Sequence, residues 1–146
     1  MNLLFVCDPL SSFHTEKDST FTMMREAQRR GYRIWACTPR DLYWQSGERV
    51  SANLHAISLT GHALDWYSSV AHEVRALADM DAVLMRKDPP FDSEYFYATH
   101  LLSQAEREGA EILICTGDRD SFQLVNEKTT VLYPKRGVSD LARMTP

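Results

Sequence analysis

Ala82-Val83-Leu84-Met85-Arg86-Lys87-Asp88-Pro89-Pro90 is followed by a helical pattern over Asp92–Glu108, stopped by Gly109, and then by Glu111-Ile112-Leu113-Ile114-Cys115-Thr116-Gly117. Two short, continuously apolar runs separated by a helix read as parallel strands covered on both faces, joined by a crossover. The rest of the chain repeats this grammar. Asn2–Cys7, Tyr32–Cys37 and Thr129–Tyr133 are also apolar runs that end at Asp-Pro, Thr-Pro or Pro, and Thr20–Arg30 is a helical pattern closed by Gly31. A short helix is expected over Arg119–Val125. Five main strands alternating with helices define a doubly wound, mainly parallel α/β sheet. The crossover helix should bury Phe96, Leu101, Leu102 and Ala105, with Ala98 close by, in one seam with Leu84, Ile112 and Ile114. Leu42–Leu59 breaks the rhythm: Gln45-Ser46-Gly47-Glu48 reads as a turn, and Val50, Ala52 and Leu54 alternate, which predicts a β-hairpin insertion. Leu64–Leu77 predicts a helix with Trp66, Val70, Val74 and Leu77 on one face.

At 146 residues, 44% apolar and 25% charged, the chain fits a single domain over 1–146 with a real core. A net charge of −4 with scattered Lys and Arg gives no field to collect phosphate backbones, so no nucleic-acid partner is expected. Cys7, Cys37 and Cys115 each close an apolar run and read as buried thiols of a reducing, cytoplasmic protein. No segment approaches the roughly 20 apolar residues needed to span a bilayer, and no membrane partner is expected. The five histidines lack the spacing of a zinc set.

Several stretches carry a family resemblance. Phe5-Val6-Cys7-Asp8-Pro9, Lys17-Asp18-Ser19-Thr20-Phe21, Glu26-Ala27-Gln28-Arg29-Arg30-Gly31, Pro39-Arg40-Asp41-Leu42-Tyr43 and Leu84-Met85-Arg86-Lys87-Asp88-Pro89-Pro90-Phe91-Asp92 resemble the N-terminal domain of bacterial glutathione synthetase, from Met1 to about Gly109. From about Leu101 to Pro146, Ile112–Val125 and Thr130–Ser139 look like the 5′-nuclease domain of DNA polymerase I. Two unrelated families meeting in one helix make the chain read as an engineered chimera. The first resemblance implies a Rossmann-like sheet with a hairpin insertion, and the combination implies a flavodoxin-like strand order of 2-1-3-4-5.

Ligands of such sheets bind beyond the carboxyl ends of the strands. The nuclease resemblance implies that Asp118 and Asp120, in a Gly-Asp-x-Asp turn, are metal carboxylates, with Asp8 as a third. The family's Glu-Ala-Asp-Asp motif, however, falls on Ser93, Glu94, Tyr95 and Phe96, so the set is incomplete. The simpler reading of Asp118 is a helix N-cap. The synthetase resemblance implies vestigial contacts to an acidic thiol peptide from Asp18, Ser19, Arg86, Lys87 and Asp92, although Arg86 and Lys87 equally read as strand-end charges paired with Asp88 or Asp92. ATP-driven ligation of glycine to γ-glutamylcysteine through an acyl phosphate resides in ATP-grasp domains, and nothing in these residues resembles them. No Gly-rich phosphate loop occurs.

The expectation is therefore a recombined scaffold without evolved catalysis, needing no cofactor beyond adventitious Mg2+ or Ca2+ and no partner, and able to self-associate through an edge strand. The alternatives are a residual Mg2+-dependent nuclease and a weak binder of γ-glutamylcysteine or a glutathione-like peptide.

Overall fold

In the computed structural model of the chain, residues 1–109, 112–115, 122–123, 125–127, 129–134 and 141–146 are described. Strand β1 (Asn2–Cys7) runs parallel to β2 (Arg33–Cys37) on one side and to β6 (Ala82–Arg86) on the other. Beside β6 lies β7 (Ile112–Cys115), parallel and in the register Val83↔Ile112, Leu84↔Leu113, Met85↔Ile114, so the apolar runs on either side of the crossover helix are neighbours. Strand β8 (Thr129–Pro134) continues the parallel ladder, and β9 (Leu141–Met144) closes that side antiparallel to β8. On the other side β2 pairs antiparallel with β4 (Ser51–Leu59), which also pairs with β3 (Leu42–Tyr43) and β5 (Tyr67–Ala76). Among the described residues these nine strands form one mixed sheet in the order β3-β4-β2-β1-β6-β7-β8-β9, with β5 attached to β4.

Helix α1 (Ser19–Arg29) starts because Asp18 stands outside it and its Oδ1 accepts from the backbone N–H groups of Thr20 (2.7 Å) and Phe21 (3.1 Å). Gly31, at φ +76°, takes the left-handed conformation that ends it. Helix α2 (Ser93–Arg107) repeats the design, with Asp92 Oδ1 accepting from Tyr95 N–H at 2.9 Å and Gly109 at φ +110°.

Alternation along the central strands sorts the core into two faces. Leu4, Val6, Trp35, Val83 and Met85 pack with Ala98, Leu101, Leu102 and Ala105 of α2. Phe5, Cys7, Ile34, Ala36 and Leu84 pack with Met24 and Ala27 of α1. The expected helix seam thus needs two corrections. Leu84 points to the α1 face, because neighbouring strand residues alternate, and Val83 and Met85 meet α2 instead. Phe96 is 54% exposed, since it lies roughly 200° around the helix from Ala98, and it packs perpendicular to the His100 ring.

The stretch expected to form a helix over Leu64–Leu77 is instead strand β5. Its Val70 and Val74, the supposed apolar stripe, are 61% and 60% exposed. Backbone pairing along nearly the whole of β4 outweighs a four-residue spacing that fits either structure. The hairpin insertion is larger than expected: the turn at Gln45–Glu48 joins β3 to β4, closed by Glu48 N–H to Gln45 C=O at 2.9 Å, and β5 extends it. Trp66, just before β5, is buried against Phe13 (5.4 Å, stacked) and Phe21 (5.2 Å, edge-on). Among the described residues no helix is long and apolar enough to cross a membrane.

Candidate functional site

The carboxyl ends of β1 and β6 are adjacent, and the amino end of α1 faces them. Because β1 and β6 are parallel with Cys7 opposite Arg86, the residues that follow each strand emerge side by side. Asp8 uses both carboxylate oxygens there: Oδ2 accepts from the Asp88 backbone N–H at 2.7 Å and Oδ1 meets Lys87 Nζ at 3.1 Å. The Lys87 ammonium also donates to its neighbour's carbonyl, Asp88 C=O, at 2.9 Å. The Lys87 side chain is only 13% exposed. Burial opposes its charge, but the hydrogen bond it donates to Asp8 and the negative field of Asp8, Asp92 and Glu94 outweigh it and raise its pKa.

Arg86 turns toward α1 instead. Its Nε donates to Thr20 Oγ1 at 3.1 Å and one terminal nitrogen donates to Ser19 Oγ at 2.7 Å. Neutral hydroxyls thus orient a guanidinium without themselves cancelling its charge. Thr20, 4% exposed, is a site residue that sequence reasoning passed over as part of a helix start. The only local signal was two adjacent hydroxyl residues directly after an N-cap aspartate.

Of the expected peptide contacts, Ser19 and Arg86 meet each other on the α1 side, and Lys87 meets Asp8. Asp18 and Asp92 sit at the rims as the caps of α1 and α2, their accepting oxygens turned to the helix amides. Beneath them Cys7 is 1% exposed. Burial and then the charges of Asp8, Asp18 and Asp88 push its thiol up to about 12, against a smaller opposing effect of Arg86. Burial, then Asp41 and Cys7, raises the Cys37 thiol well above its usual range. Neither cysteine is poised as a nucleophile.

Asp118 and Asp120 lie outside the described residues. Asp8, their expected third ligand, is committed to Lys87 and a backbone amide. Among the described residues no group of three or more His, Cys, Asp or Glu converges as a metal site.

A mixed α/β sheet with a parallel centre, whose strand ends carry a hydroxyl-braced arginine beside a lysine–aspartate ion pair, is thus the structural class. Residues 1–115 match the family model of the prokaryotic glutathione synthetase N-terminal domain, and the chain belongs to that family. It is 51% identical over 112 residues to the glutathione synthetase of Ralstonia nicotianae, covering 77% of this chain and 34% of that protein. It is 45% identical over 136 residues to that of Vibrio parahaemolyticus, covering 92% and 42%. To the Escherichia coli K12 enzyme it is 42% identical over 113 residues, covering 77% and 35%. The chain therefore spans between a third and somewhat over two fifths of the length of these relatives.

These matches correct the reading of the chain as a recombined scaffold without evolved function. The Vibrio parahaemolyticus similarity covers 136 residues of one natural enzyme, more than the 109 or so allotted to the synthetase part, and nothing in the comparisons supports a 5′-nuclease segment. The misreading has a physical origin. The likeness rests on the short stretches Ile112–Val125 and Thr130–Ser139, and an apolar run ending in Thr-Gly-Asp is a pattern of residue types that unrelated α/β proteins share. The nuclease alternative falls with it.

Proposed function

We propose that this chain works as the N-terminal domain of a glutathione synthetase, where the strand ends of β1 and β6 and the start of α1 form one wall of the site for γ-glutamylcysteine. The observation that carries this is Arg86, held from Ser19 and Thr20 at the mouth of the cleft. A guanidinium with a fixed fork suits the planar carboxylates of an acidic peptide, and bracing it in advance removes part of the ordering cost of binding. Lys87, the next residue, is paired with Asp8 and fixes the loop after β6 rather than adding net positive potential. On this reading these residues bind and orient the peptide, require no cofactor of their own, and leave phosphoryl transfer and ligation to ATP-grasp elements that no phosphate loop in these residues supplies.

The order β2-β1-β6-β7-β8 of the parallel strands, with α1 and α2 on opposite faces, supports a Rossmann-like, flavodoxin-like assignment of the fold. Reduced, buried Cys7 and Cys37 favour the cytoplasm as its compartment.

The test is to replace the matching segment of the Escherichia coli enzyme with residues 1–115 and measure glycine-dependent ATP turnover. Arg86→Ala in that hybrid should raise KM for γ-glutamylcysteine roughly tenfold, with a smaller change in kcat. An active hybrid whose KM ignores Arg86 would remove this residue from the substrate wall and defeat the assignment.

A further inference from the structure

Away from the strand-end cleft, the β4–β5 hairpin sets two histidines side by side. His55 of β4 and His72 of β5 are direct cross-strand partners. Their rings are nearly parallel, with centroids 4.4 Å apart and planes inclined by 14°. Both residues are exposed. On the same face of the ladder the neighbouring pair is Asn53 with Val74, with Leu54–Glu73 between them, and on the other side Val70 is the extra residue of the bulge between the Ala56–Ala71 and Ile57–Ser69 pairs. The imidazoles thus stand together on a rigid two-stranded frame, open to water.

Imidazole nitrogen is a ligand for zinc, copper and nickel rather than for hard Mg2+ or Ca2+. A metal–nitrogen distance of about 2.0–2.1 Å puts two ligating nitrogens about 3.3–4.1 Å apart, from tetrahedral to linear arrangements. An ion bound by imidazole lies in each ring's plane along the nitrogen lone pair, so the two stacked rings must turn about χ1 and χ2 until those lone pairs converge, a rotation that exposed side chains are free to make. Directly opposed strand positions hold the two Cβ atoms about 4.5–5.5 Å apart, a span that two converging imidazoles on one ion can bridge. We propose that His55 and His72 form a two-imidazole site for a divalent transition-metal ion such as Zn2+, with water completing the coordination. The ion would clasp β5 to β4.

The experiment is calorimetric titration of the full chain with Zn2+ alone, in a buffer that does not bind it. One ion should bind per chain, and His55→Ala and His72→Ala should each weaken binding roughly tenfold or more, while His14→Ala and His62→Ala leave it unchanged. Circular dichroism checks that the variants are folded. Independently of any variant, substoichiometric Cu2+ should broaden the ring-proton NMR signals of His55 and His72 ahead of the other histidines. Absence of binding up to millimolar Zn2+, affinity indifferent to both substitutions, or first broadening elsewhere would overturn the proposal.

Discussion

Lys87 Nζ lies 3.1 Å from Asp8 Oδ1, tying together the residues that leave two neighbouring parallel strands, and Asp8 also receives the backbone N–H of Asp88 at 2.7 Å. A carboxylate that closes both bonds fixes the loop directly after Arg86, the last residue of β6. Asp8→Ala should therefore cost about 1–3 kcal/mol, because it leaves a largely buried ammonium and an amide without their partner. Urea denaturation checks this, and a change within about 0.5 kcal/mol, typical of an unconstrained surface position, would show that the tie contributes nothing.

Alkaline pH should unfold the protein through the same region. The Lys87 pKa is raised in the folded state, so its contribution is complete below the ordinary lysine range and is lost as pH climbs through the folded value. Cys7 acts in the same sense: its thiol stays protonated to about 12 when folded but ionises from 9.0 when unfolded, so stability falls across that window. Unfolding midpoints measured from pH 8 to 12 should decline. Cys7→Ala should flatten part of the decline, and an identical profile in that variant would contradict the assignment.

Thr20→Val removes the hydroxyl that accepts from Arg86 Nε while keeping the buried shape. Losing one such hydrogen bond is worth about 1 kcal/mol, hence about fivefold in KM for the peptide in the hybrid enzyme. Steady-state kinetics at fixed ATP and glycine measure it. An unaltered KM would mean that Arg86 is oriented by its other contacts.

Packing of α2 should show a steep contrast between two of its apolar residues. Leu101, buried against the sheet, should cost about 2–5 kcal/mol when cut to Ala. Phe96→Ala should stay within about 0.5 kcal/mol. Chemical denaturation of the two variants side by side decides whether the helix seats as described.

Glu26, at the end of α1, accepts from Arg29 at 2.7 Å and Arg30 at 2.7 Å, and these hydrogen bonds lower its pKa to about 2. A depressed carboxylate stabilises the fold above its ordinary range, and that contribution disappears as pH falls toward 2. The groups are exposed, so salt should screen the effect. NMR titration of the Glu26 side chain should give a midpoint that rises between low and high ionic strength, whereas a salt-independent midpoint would rule out surface pairing as its cause.

Local chemistry alone determined much of this protein. The apolar runs at Asn2–Cys7, Ala82–Arg86 and Ile112–Cys115, the caps Asp18 and Asp92, and the stops Gly31 and Gly109 are legible because strand burial, N-capping and left-handed turns act within a few residues. The nature of Tyr67–Ala76 was not legible. Trp66, Val70 and Val74 satisfy a helical spacing, and only pairing with the open edge of β4, just upstream, makes a strand the better structure. Phe96 and Leu84 show the same limit on a finer scale, since both are apolar members of correctly read elements and only packing chooses which way each element faces. The cleft is a tertiary product as well. Arg86 lies 67 residues from Ser19 and Lys87 lies 79 from Asp8, so these pairs exist only because parallel β1 and β6 bring their carboxyl ends together beneath the start of α1.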